Sequence, residues 1–258
     1  MKVAILAGGL GTRLSEETVD KPKALVVIGD KPILWHIMMN YSHFGFNEFV
    51  IALGYKGEAI ESWIHDYYGS NKNVNTKTEG NVVVFTDKQS KSGWTIYLVD
   101  TGQETLTGGR IKRLEPLIGN QTFMLTWCDA VADINLRALL EFHRSHGRLA
   151  TLTAVRPSPR FGHLVLEGSR VIQFKEKPKD TKNWINGAFF VLEPEIFGYI
   201  EGDNTQWEEG PLERLAREGQ LMAYRHSGFW QCMDIIHEKH MLEKLWESGQ
   251  APWKTWKD

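Results

Sequence analysis

Through the first two thirds of the chain, short apolar runs alternate with segments whose apolar residues recur at helical spacing. Lys2–Ala7 reads as a buried parallel strand, Ile33–Phe44 as a helix, Glu48–Leu53 as a strand and Glu58–Tyr68 as a helix, with Gly45 and Gly69 as helix stops. Val82–Phe85 and Thr95–Val99 are further strands, and Phe123–Trp127 is another buried one. Leu136–His146 reads as a helix closed by Gly147, and Leu149–Val155 as a strand. This alternation predicts an α/β fold, a Rossmann-like, mostly parallel sheet flanked by helices on both faces. The pattern then changes. His163–Leu166, Val171–Lys175 and Ile185–Leu192 are short strands with turn signals between them, which predicts a smaller antiparallel β extension. Pro211–Glu218 and Ile235–Glu247 read as helices, the second amphipathic, and the tail Ala251–Asp258 has no period. No composition shift marks a linker, so residues 1–258 are expected to form one domain with an insertion-like β region.

Composition narrows the function classes. Of 258 residues, 42% are hydrophobic and 24% charged, an ordinary globular balance that argues against disorder. Lys+Arg is 30 and Asp+Glu is 32, so the basic excess of a general nucleic-acid binder is missing. No apolar run approaches the roughly 18 residues of a membrane span, and Met1–Ala7 is too short for a signal peptide. Cys128 and Cys232 make no disulfide framework, and the histidines show no ligand spacing. The expectation is a cytoplasmic protein with neither membrane nor nucleic acid as partner.

The strongest chemical signal is Leu6-Ala7-Gly8-Gly9-Leu10-Gly11-Thr12-Arg13, directly after the first strand. Glycines let backbone N–H groups approach an anion closely, and Arg13 offers a planar fork for phosphate oxygens. The run is not a Walker A loop, since no Gly-Lys-Ser/Thr follows, and it departs from the dinucleotide fingerprint because position 14 is Leu. A glycine turn after a strand is equally often purely structural. Arg13 and Lys21-Pro22-Lys23 tip the reading toward triphosphate binding, although both lysines also suit a solvated loop.

Gly8-Gly9-Leu10-Gly11-Thr12-Arg13-Leu14, then Lys21-Pro22-Lys23, then Gly29-Asp30-Lys31-Pro32-Ile33-Leu34, resembles the opening of the sugar-phosphate nucleotidyltransferases. Later segments lie in the order seen in the glucose-1-phosphate cytidylyltransferase branch of that family. They are Leu98-Val99-Asp100-Thr101-Gly102, Thr107-Gly108-Gly109-Arg110, Phe161-Gly162, Glu176-Lys177-Pro178, Asn186-Gly187, Gly228-Phe229-Trp230-Gln231 and the ending Ala251-Pro252-Trp253-Lys254-Thr255-Trp256. The resemblance spans essentially the whole chain. It implies that CTP and α-D-glucose 1-phosphate give CDP-glucose and pyrophosphate, with positioning and charge neutralisation carrying the rate.

By the same resemblance, Leu6, Ala7, Gly8, Gly9, Leu10, Gly11, Thr12 and Arg13 would wrap the triphosphate, Arg13 on the leaving phosphates and Lys23 near the α-phosphorus. Thr105 and Arg110 match positions that contact the nucleotide, and Gly109 would let the pyrimidine lie flat on the backbone. Asp129 and Asp234 match the two Mg²⁺ ligands, so Arg13, Lys23 and Asp129 form the implied catalytic set. Glu176, Lys177 and Asn186 match positions near the sugar and its phosphate. A homo-oligomer is implied as well. From the residues alone, Asp129 closes an apolar strand at the carboxyl edge of the sheet, where ligands bind in open α/β folds, and two carboxylates with phosphate oxygens and water suit six-coordinate Mg²⁺. Asp129 also suits a turn, Asp234 a helix N-cap, and Glu176-Lys177-Pro178 an ordinary polar turn.

Three departures from the family pattern stand out. Trp127-Cys128-Asp129-Ala130 replaces Tyr-Gly-Asp-Gly, Asn186-Gly187-Ala188 replaces Asn-Gly-Gly, and Cys232 replaces proline. Where such a glycine has φ > 0, the Cβ is strained; where it makes room for ligand, the Cβ narrows the site. Two alternatives follow, a related enzyme for another sugar 1-phosphate or pyrimidine triphosphate, and a non-catalytic nucleotide-sugar-binding regulator.

Overall fold

The computed structural model describes residues 1–69, 74–87, 93–157, 162–176 and 183–257. Along the chain the strands are β1 (Lys2–Leu6), β2 (Val27–Ile28), β3 (Lys31–Pro32), β4 (Glu48–Leu53), β5 (Val74–Glu79), β6 (Val82–Asp87), β7 (Thr95–Asp100), β8 (Phe123–Trp127), β9 (Ala130–Ala132), β10 (Ala150–Val155), β11 (His163–Glu167), β12 (Arg170–Lys175), β13 (Ile185–Leu192), β14 (Leu221–Arg225) and β15 (Trp230–Cys232). The helices are α1 (Ser15–Thr18), α2 (Ile33–His43), α3 (Gly57–Tyr68), α4 (Thr107–Arg113), α5 (Glu115–Ile118), α6 (Leu136–His146), α7 (Pro211–Arg217) and α8 (Ile236–Glu247).

A nine-stranded sheet runs in the order β14-β10-β13-β8-β1-β4-β7-β6-β5. Its centre, β8-β1-β4-β7, is parallel, and β13 and β6 run against their neighbours on either side. Side chains alternate across a strand. Val3 and Ile5 therefore enter a core closed by α2, α3, α6 and α8, while Ala4 and Leu6 enter a second core closed by α4, α5 and α7. Both faces of β1 are buried, which is why its sequence is continuously apolar. Chain connections leave β1 toward β4 on one side and receive β8 on the other, so the carboxyl ends of β1 and β8 form the crevice at which the strand order switches.

Caps fix the ends of the helices. Asn135 accepts from the Ala138 amide at the start of α6, and Gly147 closes that helix at φ 62°. The C-terminal tail is anchored rather than loose. Trp253 is fully buried, and the Asn40 amide of α2 donates to the Ala132 carbonyl and the Thr255 hydroxyl.

One expectation needs correction. β13 is not part of a separate antiparallel extension with β11 and β12, but lies inside the main sheet between β8 and β10. Its half Phe189-Phe190-Val191-Leu192 pairs with β8 and is buried on both faces, the burial that a continuous apolar run signals. Of these three strands, β11 and β12 stand apart as a two-stranded hairpin, as the β2–β3 and β9–β15 pairs do elsewhere.

Candidate functional site

A cleft of about 450 Å³ opens at the carboxyl ends of β1, β7 and β8. Its floor and walls include Leu6, the turn from Gly8 to Arg13, Lys23, Thr105, Arg110, Asp129 and Asp234. Residues more than 200 positions apart thus meet where β1 and β8 end.

Arg110 builds the glycine turn from beneath. Its guanidinium donates to the carbonyls of Leu53 (2.9 Å), Gly102 (2.7 Å), Gly8 (3.1 Å) and Gln103 (3.0 Å), and to the Thr101 hydroxyl (2.7 Å). These bonds occupy both terminal nitrogens. A Cβ at Gly8 would collide with the guanidinium, so the glycine is required by close approach of this side chain. Burial, with the nearby charge of Arg113, lowers the Arg110 pKa from its usual value. Arg110 therefore holds the turn in shape while also lining the cleft.

Across the cleft, Lys23 Nζ donates to Asp129 Oδ2 at 2.8 Å and to Asp234 Oδ1 at 2.6 Å. Arg13 Nη1 meets Asp234 Oδ2 at 2.6 Å. The Lys23 side chain is 12% exposed and that of Arg13 is 77% exposed, so the lysine pair is the protected one. Burial alone would lower the Lys23 pKa, but the Asp129 and Asp234 charges and hydrogen bonds outweigh it and hold the ammonium above the ordinary lysine range. Asp129 stands two residues past the end of β8, and the antiparallel pairing of β15 with β9 brings Asp234 beside it.

Cys128 also lines the cleft. Burial, with the Asp129 charge, pushes its thiol up to about 12, so it is a neutral, non-nucleophilic wall at neutral pH. Among the described residues, the non-glycines with positive φ are Lys56 and Ala188. Cys128 and Ala130 are therefore unstrained, whereas Ala188 sits at φ 64°, in the left-handed region.

Two sequence candidates turn away from the cleft. Ala7 is buried at the end of β1 with its amide on the Ala52 carbonyl, and it does not line the space. Gly109 lies within α4, where an added Cβ would stand 2.5 Å from the Asp203 backbone. Its missing side chain admits the 203–205 segment. Glu176 and Asn186 also lie outside the cleft lining. Glu176 is exposed just past β12, and Asn186 accepts from the Ala188 amide at 2.9 Å. Lys177, like Phe161 and Pro178, falls outside the described residues. Sequence reasoning missed Gln103, Glu104, Leu106, Thr107 and Trp127 as cleft residues. The general rule for carboxyl strand ends would have flagged the segment after β7 and the last residue of β8.

Residues 2–235 match the model of the family described as nucleotidyl transferase. The chain belongs to this family. Its similarity to individual members is extensive. A glucose-1-phosphate cytidylyltransferase of Salmonella typhi is 48% identical over 257 residues, covering 99% of this chain and 100% of the relative. A glucose-1-phosphate cytidylyltransferase of Salmonella typhimurium matches to the same extent. A mannose-1-phosphate guanyltransferase of Aspergillus oryzae is 29% identical over 94% of this chain and 62% of its own length. Among solved structures, a UDP-glucose pyrophosphorylase complexed with UDP-glucose superposes with TM-score 0.69 at 18% identity, covering 96% of this chain and 98% of the other. The inositol-1-phosphate CTP transferase from T. maritima superposes with TM-score 0.67 at 16% identity, covering 100% and 98%. At those identities the structures establish the nucleotide-diphospho-sugar transferase fold.

Proposed function

We propose that this nucleotidyltransferase joins CTP and α-D-glucose 1-phosphate to give CDP-glucose and pyrophosphate. A phosphate oxygen of the sugar phosphate attacks the α-phosphorus of CTP in line. The bond from that phosphorus to the β-bridging oxygen breaks, and pyrophosphate leaves with the electron pair. The observation that carries the reading is one cleft holding the glycine turn, Arg13, Lys23, Asp129 and Asp234 together. Full-length identity of 48% to glucose-1-phosphate cytidylyltransferases supports the choice of nucleotide and sugar.

In this reading the amides from Gly8 to Arg13 wrap the triphosphate, Arg13 neutralises the leaving phosphates, and Lys23 serves oxygens near the α-phosphorus. Thr105 faces the nucleotide from the opposite wall. Glu176, Lys177 and Asn186 serve the sugar and its phosphate. Asp129 and Asp234 converge on one ammonium, and their hard oxygen donors fit Mg²⁺. Among the described residues no group of three or more His, Cys, Asp or Glu could hold a metal, so the remaining ligands would come from phosphate oxygens and water. When bound, Mg²⁺ would neutralise charge on the phosphates.

A homo-oligomer belongs to the same proposal. The β11–β12 hairpin exposes Leu164, Leu166, Ile172 and Phe174, an apolar surface suited to a second copy. A cytoplasmic location is proposed too, because both substrates are phosphorylated metabolites that do not cross membranes unaided. Among the described residues no helix is long and apolar enough to cross a membrane.

The test is pyrophosphate release with Mg²⁺ and a panel of triphosphates and sugar 1-phosphates. CTP with glucose 1-phosphate should give the highest kcat/KM. A higher value for another pair reassigns the substrate, and no turnover with any pair overturns the enzymatic reading.

A further inference from the structure

We infer that Lys23 is an internal stand-in for the divalent cation, holding Asp129 and Asp234 together until a nucleoside triphosphate draws its ammonium away. This rests on the proposal that the two aspartates are metal ligands. Lys23 Nζ lies 2.8 Å from Asp129 and 2.6 Å from Asp234, one oxygen on each carboxylate. With Arg13 on the other Asp234 oxygen, two carboxylates meet two cations, and the cluster is electrically neutral. A divalent cation arriving alone would face two positive charges at hydrogen-bond range. It could bind only by driving a partly buried ammonium off both carboxylates, and the other carboxylate lining the cleft, Glu104, stands on the segment between β7 and α4 rather than beside them. A triphosphate changes this balance, since its oxygens give Lys23 and Arg13 new anionic partners and release the carboxylates.

The backbone is built for a side-chain exchange rather than a loop movement. Lys23 opens a short 3₁₀ turn after Pro22, and the next residue, Ala24, is fully buried. The Asp129 carbonyl is held by the Met233 amide beside the β9–β15 pairing and the Asp234 amide by Glu238, both independently of Lys23. The carboxylates therefore stay in place while the lysine stem rotates. By linkage, metal and nucleotide then raise each other's affinity, and the size of that coupling is set by Lys23. Adventitious metal is excluded from the nucleotide-free cleft.

The experiment is a Mn²⁺ titration by electron paramagnetic resonance, without nucleotide and with saturating α,β-methylene CTP. Wild-type protein should bind Mn²⁺ weakly without nucleotide, and Lys23→Met should bind it at least tenfold more tightly. Lys23→Arg keeps a cation between the carboxylates and should stay as weak as wild type. If unpaired carboxylates destabilise the Met variant, Mn²⁺ alone should raise its Tm by several degrees more than it raises the wild-type Tm. Equal nucleotide-free Mn²⁺ affinity in wild type and Lys23→Met, with equal Tm response, overturns the stand-in role. Asp129→Asn and Asp234→Asn separate this from the underlying reading. If they leave Mn²⁺ binding to the analogue-loaded protein unchanged, the aspartates are not metal ligands and the proposal beneath falls with it. If they abolish it while Lys23→Met behaves as wild type, the stand-in role alone fails.

Discussion

The Met233 amide donates to the Asp129 carbonyl at 2.8 Å. It extends the pairing in which Cys232 faces Ala130, so one antiparallel ladder delivers Asp234 beside Asp129 across 105 positions of sequence. The ladder is backbone-only and survives side-chain changes. Asp129→Asn and Asp234→Asn should therefore keep the fold, with Tm within a few degrees of wild type. Turnover should fall at least a hundredfold in each, because a charged oxygen donor is lost while shape is retained. Pyrophosphate release measured beside thermal unfolding checks this. Near-normal turnover in Mg²⁺ would remove the residue from the metal set.

Asp234 is positioned from its other side by Glu238. That carboxylate, 5% exposed, accepts from the amides of Asp234 at 2.7 Å and Ile235 at 3.2 Å, where α8 begins. Glu238→Ala leaves those amides without this acceptor and should cost about 1–3 kcal/mol. Its apparent Mg²⁺ requirement should rise as Asp234 loosens. Glu238→Gln keeps an acceptor oxygen and should recover most of both. An alanine variant with the wild-type Mg²⁺ requirement would make Glu238 a helix cap and nothing more.

Arg110 carries a different signature. Its loss removes five hydrogen bonds around the turn, although the Leu53 and Gly8 carbonyls keep the Thr101 and Tyr55 amides, and lysine cannot replace the fork. Arg110→Lys should lose more than about 3 kcal/mol, with KM for CTP rising as the glycine turn relaxes. Denaturant melts and steady-state kinetics read the two together. A raised KM with unchanged stability would place Arg110 directly on the nucleotide.

The central sheet was legible in the sequence because β1, β4 and β8 are buried on both faces and read as unbroken apolar runs. β5, Val-Asn-Thr-Lys-Thr-Glu, was not, since a largely exposed edge strand needs no apolar pattern. α4 was hidden by Gly108 and Gly109, poor helix formers whose fit against the 203–205 segment no local pattern records. In the site, the glycine turn, Lys23 and both aspartates were visible as chemistry on strand ends. The division of labour was not. That Arg110 braces carbonyls while Arg13 stays exposed depends on burial, and no motif records burial.

Ala188 tests the cost of one departure. At φ 64° its Cβ crowds the backbone, and the glycine expected there by resemblance would not. The strain sits where the β10–β13 register shifts, next to Asn186. Ala188→Gly should stabilise the protein by up to about 1 kcal/mol, since relief of strain exceeds the added freedom of the unfolded chain. That corresponds to a Tm rise of about 2–4 °C at this chain length. An unchanged or lower Tm would show that local packing has absorbed the strain.

His36 supplies a pH dependence with a definite sign. Its ring is fully buried among Trp35, Trp246, Trp253 and Trp256. Nε2 faces the Ile28 carbonyl at 3.0 Å, and Nδ1 faces the Trp253 indole N–H at 3.4 Å. Only the neutral ring with its proton on Nε2 satisfies both, since a second ring proton would point at another donor. Burial pushes the pKa down to about 4 from the usual 6.5, against the opposing pull of the Ile28 carbonyl. As pH falls below 6.5, the unfolded chain takes up a proton that the folded chain refuses. Stability is thus lost from that point down to about pH 4, and unaffected by this group above neutrality. Between about pH 7.5 and about pH 5 the loss should be about 2 kcal/mol. Other carboxylates titrate in the lower part of this range, so the comparison is with His36→Gln, which keeps a donor for Ile28 and an acceptor for Trp253. The variant should be less stable at neutral pH and show a shallower fall on acidification. Parallel stability curves for the two proteins would show that His36 takes up its proton in the folded state as readily as in the unfolded one.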